Sequence, residues 1–79
     1  MGVRVFLSTV LRRYVEGYDG ENGISLEPQS LETVRDICVR LGIPSEKIKL
    51  AMVNGRRVSL DHPIRDGDRV GLFPPVGGG

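Results

Sequence analysis

Only one stretch of this chain has helical periodicity, and every other apolar run is too short to make a helix. Leu31, Val34, Ile37, Cys38 and Leu41 follow at spacings of three, three, one and three. Those spacings put five apolar side chains on one face of an amphipathic helix. Ser30 is a suitable N-cap, Glu32 suits the positive end of the helix dipole, and Gly42 followed by Ile43-Pro44 is a stop signal. The pattern predicts a helix from about Leu31 to Leu41. A single helix covers a single apolar face, so the remaining apolar residues are expected in one sheet packed against it.

Strand signals lie on both sides of that helix. Val3-Arg4-Val5-Phe6-Leu7 alternates apolar and polar residues and is followed by a second apolar group at Val10 and Leu11. The stretch from Arg12 to Gly23 contains Gly17, Asp19-Gly20 and Asn22-Gly23 and reads as a long, mobile connection, far along the chain from the C-terminus. It leads to a second strand near Ile24-Ser25-Leu26-Glu27, which forms a hairpin with the first. After the helix come a third strand over Lys49 to Val53, an Asn54-Gly55 turn with Val58 on a short return segment, and a loop over 61–68. A last strand runs from Arg69 to Phe73. The expected order is β-β-α-β-β, an α+β fold, with a domain over 1–73 and a tail over 74–79.

Size and charge exclude several function classes. A domain of 79 residues buries only about 60–65% of the surface that its unfolded chain exposes, so a large internal active site is not expected. The net charge is +1, with acids and bases interspersed, which leaves no electrostatic footprint for nucleic acid or an anionic membrane. No apolar stretch approaches membrane-spanning length, and the N-terminus lacks a basic-then-apolar leader pattern. A lone cysteine, Cys38, forms no internal disulfide and fits a reducing, cytoplasmic setting.

The C-terminus is the unusual part. Gly77-Gly78-Gly79 follow directly on Phe73-Pro74-Pro75-Val76, and glycines bury nothing while losing more freedom on ordering than any other residue. A terminus that threads a narrow channel does need them, because a chain without Cβ atoms lies flat between close walls. The six residues from Pro74 to Gly79 reach roughly 20 Å when extended. Ordering three glycines costs about 3–6 kcal/mol at 1–2 kcal/mol each. Pro74-Pro75 lowers that cost by starting the tail extended.

The element order, Val53-Asn54-Gly55, Asp66-Gly67-Asp68-Arg69-Val70 and the ending Phe73 to Gly79 together resemble the β-grasp sulfur-carrier family, relatives of ubiquitin in fold. The Phe-Pro-Pro-Val element resembles the molybdopterin branch, the small subunit of molybdopterin synthase, rather than the thiamine carriers. The family pattern ends in two glycines and this chain has three, which makes Gly79 the reactive residue of the chain as given. The 12–23 connection is longer than in the shortest members.

That resemblance implies a mixed β-grasp sheet on one main helix and a non-catalytic carrier with no bound cofactor. Its Gly79 carboxylate is adenylated by an ATP-dependent, ubiquitin-activating-type enzyme and receives sulfur from a donor protein. The resulting thiocarboxylate is a nucleophile by the logic that makes a thiolate reactive, and it serves the molybdopterin synthase large subunit. Phe73, Pro74, Pro75, Val76, Gly77 and Gly78 are the expected partner-binding residues. Rival readings are a carrier for thiamine or another sulfur metabolite, a protein modifier conjugated through its terminal glycine, and a non-covalent interaction module.

Other candidates are weaker. Cys38 on the apolar helix face reads as a small buried thiol, and His62, between Asp61 and Pro63, has no cysteine cluster or second histidine to make a metal site. Arg56, Arg57, Arg65 and Arg69 could form a basic rim. Gly55 and Gly67 read as turn glycines, since neither lies in a phosphate-binding spacing.

Overall fold

The computed structural model describes residues 2–27 and 32–75. Five strands and one helix follow in the order β1 (Val3–Leu7), β2 (Ile24–Leu26), α1 (Val34–Leu41), β3 (Leu50–Val53), β4 (Arg56–Val58) and β5 (Arg69–Phe73). Short 3-10 turns occupy Thr9–Tyr14 and Ser45–Lys47. The return segment that carries Val58 is thus a strand of its own, giving β-β-α-β-β-β.

The sheet order is β2-β1-β5-β3-β4, with β1 and β5 parallel and the remaining pairs antiparallel. Period-2 alternation sends Val3, Val5 and Leu7 of β1, Ala51 and Val53 of β3, and Val70 and Leu72 of β5 to one face. There they meet Val34, Ile37 and Cys38 of α1 in a single buried cluster. The hairpin turn between β3 and β4 uses Asn54 and Gly55 at φ 53° and 83°, the doubly positive geometry that matches the twist of paired strands.

The helix begins later than its apolar spacing suggests. Thr33, not Ser30, is the N-cap: its side chain accepts from the Asp36 N–H, and the Asp36 carboxylate accepts from the Thr33 N–H at 2.9 Å, closing a capping box. Ser30 and Leu31 lie outside the described residues. Glu32 precedes the cap and so lies outside the helix. Its carboxylate is buried and is held by the Arg40 guanidinium at 2.8 Å, while the same Arg40 nitrogen donates to the Glu27 carbonyl. Arg40 therefore ties α1 to the chain on both sides of residues 28–31. Gly42 ends the helix at φ 75°, the left-handed cap that glycine adopts without a Cβ clash.

The expected mobile connection is built into the fold. Leu11, inside the 3-10 turn, is fully buried in the core. The Leu7 N–H donates to the Tyr18 hydroxyl at 2.8 Å, the Arg12 Nε donates to the Leu7 carbonyl at 3.0 Å, and the Arg12 guanidinium lies over the Tyr18 ring. Gly23, at φ 71°, brings the chain back so closely that a Cβ there would sit 2.6 Å from the Val5 carbonyl oxygen. The sequence placed Leu11 in an apolar group ahead of the connection and signalled the turns, but missed the tyrosine bracket that fixes them.

Leu11→Ala tests this directly. It is expected to cost about 2–4 kcal/mol, the range for truncating a fully buried leucine, whereas Val10→Ala, half-exposed one residue earlier, should stay within about 0.5 kcal/mol. Chemical denaturation of both variants measures the difference, and equal effects would return the segment to a peripheral loop.

Candidate functional site

The site starts where β5 ends. Its last two carbonyls are both engaged: Leu72 accepts from the Ser8 N–H at 3.2 Å and Phe73 from the Lys49 N–H at 2.8 Å. Pro74 has no N–H to continue the ladder, so the strand stops there and the chain leaves the sheet. Pro74 is half-buried and Pro75 exposed. Val76, Gly77, Gly78 and Gly79, the remaining expected site residues, lie outside the described residues.

Phe73 belongs to the face of the sheet opposite the helix. That outer face carries Phe6 on β1, Leu50 and Met52 on β3, and Gly71 and Phe73 on β5, with Phe6 and Met52 flanking Gly71 in register and Leu50 opposite Phe73. All are half-buried, and none belongs to the helix-side core. A Cβ on Gly71 would stand 3.4 Å from the Phe73 ring, so the ring leans back over the bare glycine backbone. The expected aromatic anchor is therefore an outer-face residue and not a core residue.

Beside the exit lies a groove of about 410 Å³ between the Thr9–Tyr14 turn and the Ser45–Lys47 turn. Val10, Tyr14, Pro74 and Pro75 supply its apolar surface, and Arg13 and Lys47 its charge. The connection that is distant from the tail in sequence is thus its neighbour in space.

The four arginines proposed as a rim do not form one. Arg56 and Arg65 share a cleft with His62 at the other end of the sheet, near the start of β5. Arg57 pairs across from Met52 on the outer face, and the Arg69 guanidinium stacks over the Phe6 ring at 4.4 Å. No group of three or more metal-ligating side chains occurs among the described residues, and none of their helices is long and apolar enough to cross a membrane. Gly55 and Gly67 both sit at positive φ in turns.

A mixed five-stranded sheet grasping one helix, with the chain leaving from its central strand, defines a ubiquitin-like β-grasp domain. The model of the ThiS family matches residues 10–79, and the chain belongs to that family. It is similar to the molybdopterin synthase sulfur carrier subunit of Escherichia coli (strain K12), with 63% identity over 30 residues that make up 38% of this chain and 37% of that protein. Among solved structures it is similar to a Pyrococcus furiosus protein provisionally named molybdopterin converting factor, subunit 1. The TM-score is 0.67 and the identity 28%, over 94% of this chain and 97% of that one. The match to the Escherichia coli protein spans little more than a third of either chain, whereas the structural match spans nearly all of both.

Cys38 faces the core with no exposure, and burial pushes its thiol pKa up from the usual value of 9.0. The folded state thus holds the proton more tightly than the unfolded state. Its contribution to stability is complete below pH 9 and is lost as pH rises through the folded pKa. Urea midpoints are expected to fall in that alkaline window for the parent, and to fall less for Cys38→Val. Parallel pH profiles for the two proteins would exclude a protonated core thiol.

Proposed function

We propose that this chain is a sulfur carrier for molybdopterin synthesis, acting through a thiocarboxylate on Gly79 as the small subunit of a molybdopterin synthase. The observation that carries the reading is the exit: a central strand ends in Phe73-Pro74-Pro75 at the margin of an apolar outer face, immediately ahead of Val76 and three glycines. The family membership and the two relatives' names support the same reading, as does Phe-Pro-Pro-Val for the molybdopterin branch over thiamine carriers.

The chemistry divides between this chain and its partners. A carboxylate is a poor electrophile, so one Gly79 oxygen attacks the α-phosphorus of ATP in an adenylating enzyme and pyrophosphate leaves. Hydrosulfide, or sulfur passed from a persulfide donor and freed by a reducing thiol, then attacks the acyl carbon and AMP departs. The thiocarboxylate sulfur is transferred to the pterin precursor in the large subunit, and water restores the carboxylate. This chain contributes reach and a fixed point of departure, and the general bases and oxyanion donors belong to the partners.

The outer face supports a docking role. Parallel strands are usually covered on both faces, yet the β1 and β5 pair has the helix on one side only, with Phe6, Met52 and Phe73 half-exposed on the other. An aromatic ring seated on a flat glycine backbone adds contact area with few rotamers to freeze.

Incubating the chain with its adenylating enzyme, ATP and a sulfur donor is expected to exchange one terminal oxygen for sulfur, read by intact mass. Deleting Gly77 to Gly79 should abolish the exchange and Cys38→Ala should not. Absence of any exchange with a verified cognate enzyme would sink the reading.

Phe73→Ala is expected to weaken binding to the large subunit by about 1–3 kcal/mol, the usual range for an aromatic anchor, while remaining folded because Phe73 lies outside the core. Calorimetric titration measures it. Parent-like affinity in a folded variant would move docking elsewhere on the sheet.

A further inference from the structure

The groove beside the tail exit has features that the carrier chemistry does not use. Val10 is 50% exposed and Tyr14 39% exposed, and both line the groove together with Pro74 and Pro75. The side chains of Arg13 and Lys47 have no ion-pair or hydrogen-bond partner among the described residues. The contrast with Arg12 is instructive. Arg12 is occupied by the Leu7 carbonyl and the Tyr18 ring, so of two adjacent arginines one braces the fold and the other projects charge beside the exit.

We propose that this groove is a docking site for a partner segment that combines apolar side chains with carboxylates, presented by the large subunit that receives the tail. The proposal rests on the sulfur-carrier reading above. Its physical basis is desolvation. The chain leaves the sheet at Pro74, so a protein that swallows the following residues must close around the exit and cover the groove. Apolar surface from Val10, Tyr14 and the two prolines gains from that burial. Two cations removed from water without counter-charges lose heavily by it. A partner that covers both therefore has to bring acids to Arg13 and Lys47.

A nucleotide fits less well. The groove offers one aromatic ring, and its remaining apolar surface is aliphatic or proline. A second copy of this chain would need two acids on a complementary face, whereas the outer face of the sheet carries the bases Arg4, Arg57 and Arg69.

The test is titration of the cognate large subunit with the parent, with Arg13→Glu/Lys47→Glu, and with Arg56→Glu/Arg65→Glu, which reverses the cleft at the opposite end of the sheet. Each is measured at low and high salt. Reversal at the groove is expected to weaken binding by at least about tenfold and to flatten or invert the salt dependence, while reversal at the far cleft leaves both near the parent. Arg13→Lys/Lys47→Arg should keep parent affinity. Circular dichroism checks folding, which these exposed substitutions should not disturb.

Parent binding that groove reversal leaves unchanged overturns the docking site and leaves the carrier reading standing. No binding by the parent overturns both. A parent dimer in sedimentation that groove reversal dissolves assigns the groove to a second copy and overturns the proposal. An affinity that falls equally for both reversed variants makes the effect one of net charge and overturns it as well.

Discussion

The fold depends on the parallel pairing of β1 with β5. Without β5 the sheet is two separate hairpins, β2-β1 and β3-β4, and an isolated hairpin is marginal in water. With β5 between them, Val70 and Leu72 stand beside Val5 and Leu7 on one side and across from Val53 and Ala51 on the other. All six are buried under α1. The first and last strands are thereby joined at the centre of the sheet. The residues that precede the tail are consequently paired on both sides, so Pro74 follows a strand held at the centre of the sheet.

The local parts of this arrangement were legible in the sequence and the non-local parts were not. Alternation over Val3 to Leu7 and Arg69 to Phe73 located both central strands to the residue, and Asn54-Gly55 located the hairpin. The helix start was misplaced because apolar spacing continues through Leu31 and Val34, and spacing is indifferent to where backbone donors are capped. The deciding signal, Thr33 three residues before Asp36, was present and was outweighed by Ser30. The ion pair of Glu32 was not foreseen because nothing local reveals that Arg40, eight residues later, folds back onto it. The parallel register of β1 and β5 leaves no mark within either strand.

The candidate site divides in the same way. Phe73 and the prolines were legible as a run of unusual residue types at the end of a strand. Which face Phe73 takes follows from alternation once Val70 and Leu72 are known to be inside, and the neighbouring Phe6, Met52 and Gly71 are then placed by register. The groove was invisible, because its walls come from residues 10–14 and 47 and from the tail root, brought together only by the central pairing. Glycine- and asparagine-rich turns at 17–23 suggested a mobile connection, yet its first residues complete the Thr9–Tyr14 3-10 turn, which the buried Leu11 pins. Composition reports how easily a backbone bends, and burial decides whether it stays bent.

The proposed placing of an apolar anchor and two cations, unpaired among the described residues, on either side of one exit has a kinetic consequence. A carrier has to be captured, deliver its sulfur and be released for reloading. Tight binding from apolar contact alone would lengthen the lifetime of each complex, since affinity is adjusted mostly through dissociation. Charges at the margin instead raise the rate of encounter and discriminate among partners, with less effect on lifetime when they stay partly solvated. On the proposed docking, Phe73 on the outer face and Arg13 and Lys47 in the groove would act on different steps, the ring on how long a complex lasts and the cations on how often and with whom it forms. The division requires that both surfaces surround the same point of departure. The central position of β5 supplies that condition, because a C-terminal strand at an edge of the sheet would have only one neighbour and would release the tail with one of these surfaces out of reach.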